Sequence, residues 1–125
     1  MDRGDLPGLA PRRRLTSIAD GFFATDIRVG TVIEAHPFPE ARKPSIKLAI
    51  DFGAEIGIKW SSAQITTYYS VETLVGRQVI AAMNLGTKRI AGFTSEVLVL
   101  GAMETPTQVI LLAPDRPAPN GSRIA

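Results

Sequence analysis

Two groupings in this chain carry side chains that could do chemistry. Lys88-Arg89 is a basic pair, and Gly92-Phe93-Thr94-Ser95-Glu96 follows it. Ammonium and guanidinium groups hold phosphates, and a Ser-Glu pair offers a hydroxyl and a carboxylate for hydrogen bonds. Lys47 and Lys59 lie on two alternating stretches, with Ser61 after the second and Asn84 further along. Lys59 beside Ser61 and Ser62 is the pairing that comes nearest to a nucleophile, because residues two apart share a strand face. Nothing completes it with an acid or base. The chemistry on offer is therefore binding, with cations and hydrogen-bonding groups on a rigid support.

Composition narrows the classes further. The chain has 125 residues, 45% of them hydrophobic, which is enough for one domain with a real core. It has no cysteine and one histidine, His36. Disulfides, thiolate metal sites and cysteine nucleophiles are excluded, and a histidine-based metal site or Ser-His-Asp triad lacks its parts. No cofactor and no metal are expected. Fourteen Lys and Arg stand against twelve Asp and Glu. Four of the bases (Arg3, Arg12, Arg13, Arg14) and three of the acids fall in residues 1–20, which leaves ten against nine. A nearly neutral body binds an anion only through a local patch. No run approaches the ~20 apolar residues of a membrane span, so membrane insertion is not expected and the cytoplasm is the default compartment.

The elements that must position these groups follow from periodicity. Residues 1–21 hold Gly4, Pro7, Gly8, Pro11 and the arginine run, and read as a mobile basic tail. The arginines are either a solvated tail or an auxiliary phosphate-contacting arm. The domain spans 22–125. Ile27–Phe38 predicts a strand with a bulge or sharp coil at Gly30. Ile46–Asp51 and Ile56–Ser61 predict a hairpin, Ser70–Gly76 a capped helix, and Gln78–Leu85, Glu96–Leu100 and Gln108–Ala113 further strands. Asn120-Gly121 predicts a turn. The alternation puts Lys47, Lys59 and Ser61 on the outer face, and Trp60 either in the core or outward as a base-stacking platform. Lys88 and Arg89 fall on a turn, and Val97–Leu100 on a buried strand. Ser95 and Glu96 read either as ligand contacts or as groups that satisfy backbone at the loop. The sum is mainly β: a five-stranded OB-type barrel with one short helix and extra C-terminal strand material that covers an edge or pairs with a second chain.

Several strings then resemble a known family. Asp26-Ile27-Arg28-Val29-Gly30, Pro39-Glu40-Ala41, Lys47-Leu48, Asp51-Phe52-Gly53, Leu74-Val75-Gly76-Arg77, Asn84 and Gly92-Phe93-Thr94-Ser95-Glu96 resemble the tRNA-binding domain family. PEARKPSIKLAIDFGAEIGIKWSSAQIT, KRIAGFTSEVLVLG and PDRPAPNGSRI are similar to its export-related chaperone branch, CsaA. The likeness runs from about Phe22 to Ala125. It implies an OB fold, a homodimer built through terminal segments, and tRNA binding. The CsaA branch further implies binding of unfolded or precursor polypeptides linked to the export machinery. The chain departs from many family members at Ser95-Glu96-Val97-Leu98, at the inserted Arg42-Lys43-Pro44-Ser45-Ile46 and at Trp60-Ser61-Ser62.

The expected RNA contacts are Lys47, Lys59, Asn84, Lys88, Arg89 and Ser95, with Arg42, Lys43 and Ser61 secondary. An alternative, chiefly a chaperone of unfolded polypeptides, would use an apolar groove lined by Trp60, Phe93 and Met103.

Overall fold

A computed structural model describes residues 20–125, so the expected tail over 1–21 lies almost wholly outside the described residues. Residues 20–24 are helical. Strands β1 (Ile27–Pro37), β2 (Ile46–Asp51) and β3 (Ile58–Ala63) form an antiparallel meander. Helix α1 (Val71–Leu74) leads into β4 (Gln78–Ala82). A hairpin of β5 (Lys88–Ile90) and β6 (Phe93–Ser95) follows, then β7 (Leu98–Val99) and a second hairpin, β8 (Gly101–Thr105) with β9 (Gln108–Leu111). The main sheet runs β3-β2-β1-β4-β7.

The sheet curls into a nearly closed OB-like barrel because its two ends are stitched together. Glu96 N donates to Trp60 O and Trp60 N donates to Glu96 Oε2, both at 2.8 Å. Ser61 Oγ donates to Val97 O at 2.9 Å, and Ser62 N donates to Ser95 Oγ at 3.0 Å. Where β1 outruns its partner β2, the C-terminal segment replaces it. Gly121 N donates to Val29 O and Ile124 N to Ile27 O, both at 2.8 Å. The Asn120-Gly121 turn is thus present and fastened. Asn120 Oδ1 accepts from Thr31 Oγ1 at 2.7 Å.

Leu48, Ile50, Phe52, Val32, Leu74 and Val79 fill the barrel. Each such side chain contributes about 1.5–3 kcal/mol by leaving water. The β1 bulge is not at Gly30 but at Ile33, where the register shifts between Val32 and Glu34. Gly30 serves a different need. A Cβ there would meet Ile50 Cγ2 at 2.6 Å and the Phe52 ring at 2.7 Å, so only glycine lets β1 lie this close to the core. The helix is shorter than the Ser70–Gly76 span but begins as expected, with Ser70 as its N-cap.

Candidate nucleic-acid interface

The β5–β6 hairpin organises the site. Its turn is Ala91-Gly92, with φ of +46° and +82°. Positive φ at both central residues gives the twist that a two-residue hairpin requires. Lys88 and Arg89 therefore lie on a strand and not on the turn, and Arg89 Nη1 donates to Thr94 Oγ1 at 2.6 Å. The hairpin separates two concavities.

The larger, of about 940 Å³, lies between the hairpin, the loop after β1, the end of β3 and the start of β8. Arg42 and Lys43 on the loop and Lys88 and Arg89 on β5 line it, and all four are exposed. Its floor is apolar, with Ile65, Val97 and Val109 among its lining, and Met103, 67% exposed, opens into it. Four cations from two segments far apart in sequence thus reach one cleft. Such an arrangement can neutralise a run of phosphates while its floor meets sugar, base or apolar side chains.

The smaller, of about 660 Å³, lies on the outer face of β1–β3 and the far side of the hairpin. His36, Lys47, Trp60, Phe93, Thr94 and Glu96 line it. Trp60 and Phe93 meet edge to face with centroids 6.0 Å apart, and His36 stacks on Trp60 at 6.1 Å. Lys47 Nζ lies over the Phe38 ring at 4.6 Å and the Phe93 ring at 5.2 Å. Cation–π attraction of about 0.5–1 kcal/mol holds such an ammonium at an exposed site.

Register corrects the face assignment of β3. Lys47 pairs with Ser62 and Ala49 with Trp60, so Trp60 shares the outer face with Lys47. Ser61 pairs with the buried Leu48 and Lys59 with the buried Ile50. Ser61 is 1% exposed and points inward, because the Val97 carbonyl across the seam accepts its hydroxyl. Ile58, on the same face of β3 as Trp60, is exposed.

Other expected contacts are already engaged within the protein. Ser95 is buried, accepting from Ser62 N. Asn84 is exposed but uses both ends of its amide, accepting from Asp26 N at 2.8 Å and donating to Ala24 O at 2.7 Å. Lys59 lines neither concavity. Val97–Leu100 is only partly a core strand, since Leu98 is exposed. His36 and Phe38 went unread as site residues. The signal was the antiparallel register, which sets His36 opposite Lys47.

Comparison with known proteins places the chain in a family. Residues 27–123 match the family described as "Putative tRNA binding domain". A methionine–tRNA ligase of Methanocaldococcus jannaschii is 36% identical over 99 residues, covering 79% of this chain and 15% of the ligase. The chain thus spans a small part of the ligases it matches. The chaperone CsaA of Bacillus anthracis is 50% identical with a TM-score of 0.82, covering 86% of this chain and 96% of that one. The CsaA chaperone of Picrophilus torridus is 48% identical with a TM-score of 0.79, covering 86% and 97%. This chain belongs to the tRNA-binding domain family, in the branch that holds the CsaA chaperones.

Proposed function

We propose that this protein is a non-catalytic, cytoplasmic homodimer that binds tRNA through the cationic cleft. The observation that carries the reading is the convergence of Arg42, Lys43, Lys88 and Arg89 on one wall-to-wall cleft. The four would contact phosphates, and Lys47 would extend the track across the hairpin. Lys59 and Asn84 lie off that track, and Ser61 and Ser95, bonded to the lining residues Val97 and Ser62, would position the cleft's walls instead of touching RNA. The methionine–tRNA ligase relatives support tRNA as the polyanion.

A second reading is favoured by one observation. Exposed Met103 and the apolar floor share the cleft with the cations. Flexible, polarisable methionine suits an adaptable polypeptide site, and two of the similar structures are described as chaperones. On this reading unfolded or precursor polypeptides, and through them the export machinery, are the partners, and RNA is secondary.

A tRNA titration over a salt series tests the choice. Replacing Lys88 and Arg89 by Ala should weaken binding and reduce the slope of log K against log salt by roughly 0.7–0.9 per lost phosphate contact. Unchanged affinity and slope would remove the cleft from the RNA site. Binding of unfolded polypeptide, with negligible tRNA binding near physiological salt, would establish the second reading.

A further inference from the structure

We propose that the pocket on the outer face of β1–β3 is a seat for one unpaired nucleobase, distinct from the phosphate-binding cleft beyond the hairpin. The inference rests on the tRNA-binding reading and names what that surface recognises.

Three properties of the pocket match a nucleotide. The first is aromatic surface. Trp60 and Phe93 line the same outer concavity, and neither ring is fully buried. A base entering it meets both, and stacking on such side chains tolerates any base. The second is charge. Lys47 Nζ stands over the Phe93 ring, where it can meet the phosphate of the same nucleotide. The third is a directed acceptor. Glu96 lines the pocket with its Oε2 fixed by Trp60 N at 2.8 Å. Among the described residues its Oε1 has no hydrogen-bond partner. A carboxylate accepts and cannot donate, so it favours edges that carry an amino group, as in adenine, cytosine and guanine, over uracil, whose one edge donor, N3–H, is flanked by two carbonyls.

The same set fits a polypeptide less well. An apolar side chain would desolvate Glu96 and Lys47 without giving either a partner. A base edge and its phosphate satisfy both. The pocket also demands single-stranded nucleotides, since a paired and stacked base has neither a free face nor a free Watson–Crick edge. Together with the cleft it would read an exposed loop or end of a folded RNA: phosphates on one side of the hairpin, one base on the other.

The chain has a single tryptophan, so its emission reports on this pocket alone. Short single-stranded oligo(A), oligo(C) and oligo(U) are titrated against the full chain, with Trp60 emission and the anisotropy of labelled tRNA followed in parallel. The expected result is saturable quenching by oligo(A) and oligo(C), with oligo(U) several-fold weaker. Phe93→Leu keeps the apolar volume but removes the ring, and should weaken quenching roughly tenfold. Glu96→Gln can still accept from Trp60 N while turning a donor toward the pocket, and should erase or reverse the preference against oligo(U).

No quenching by any oligonucleotide, with labelled tRNA still bound, overturns the base seat and leaves the tRNA reading standing. Quenching by oligonucleotides with no tRNA binding supports the seat and removes tRNA as its source. Equal quenching by all three oligomers overturns the role of Glu96. A spectral shift with unfolded polypeptide that no oligonucleotide displaces overturns the proposal in favour of a peptide site.

Discussion

Ser95 shows how one residue type can serve two tasks. A serine beside a glutamate after a basic pair reads either as a ligand contact or as a group that satisfies backbone, and here its oxygen accepts Ser62 N at the barrel seam. Removing the acceptor of this half-buried strand amide costs about 0.5–1.5 kcal/mol, because the amide loses its partner and regains water only in part. Ser95→Ala should therefore lower the urea midpoint by that free energy divided by an unchanged m-value, while the tRNA affinity of the folded fraction stays the same. A loss of affinity at unchanged stability would return Ser95 to the contact surface. Residue type misleads more at Trp60: the largest apolar residue of β3 faces outward beside Lys47, and the small polar Ser61 takes the inward position. Alternation alone makes the two assignments look equivalent with sides exchanged. Only the β2–β3 register and the Val97 carbonyl awaiting a donor distinguish them.

At the scale of elements, what was legible had a local cause. β1 and β2 follow from β-branched alternation, the helix start from Ser70, and the closing turn from Asn120-Gly121. What was not legible depends on partners distant in sequence. β8 is exposed at every residue and has no apolar stripe to announce it. It is held by the segment before α1: Tyr68 Oη donates to Glu104 Oε1 at 2.8 Å, and Tyr69 Oη accepts from Leu111 N at 2.9 Å in β9. The hydrogen bond to Glu104, followed by desolvation and the carboxylate's charge, raises the Tyr68 phenol above its ordinary value of 10.0. The folded chain therefore keeps this proton more tightly than the unfolded chain. The tether is fully present below the ordinary tyrosine range and is lost as pH rises through the raised value. A phenolate absorbance titration should show a late component from Tyr68. Tyr68→Phe should abolish that late component, and Glu104→Gln should bring it back toward the ordinary range. A late component that survives Tyr68→Phe would show that the tether does not exist in solution.

At the scale of the molecule, the β8–β9 hairpin carries an apolar row that a single chain leaves exposed. A two-stranded ribbon is marginal in water unless one face is buried. Val109 and Leu111 pack against the core, which accounts for one face. The other carries Ala102 opposite Ile110, which is 45% exposed, and Leu112, 42% exposed, continues the row. A second copy would cover that row symmetrically, bringing two cationic clefts into one particle. The tRNA-binding domain would then gain a footprint that its nearly neutral charge denies to one chain, since tethered sites bind with an effective concentration in place of a second free encounter. Ile110→Glu sets a carboxylate in the middle of the row without touching Met103 or the cleft. Sedimentation should show dimer for the parent chain and monomer for the variant, with tRNA affinity lowered and its salt slope reduced toward that of one cleft. If the variant sediments as a dimer, the outward row is not the contact. If it is monomeric with tRNA affinity and slope intact, one cleft suffices, and pairing of chains serves stability alone.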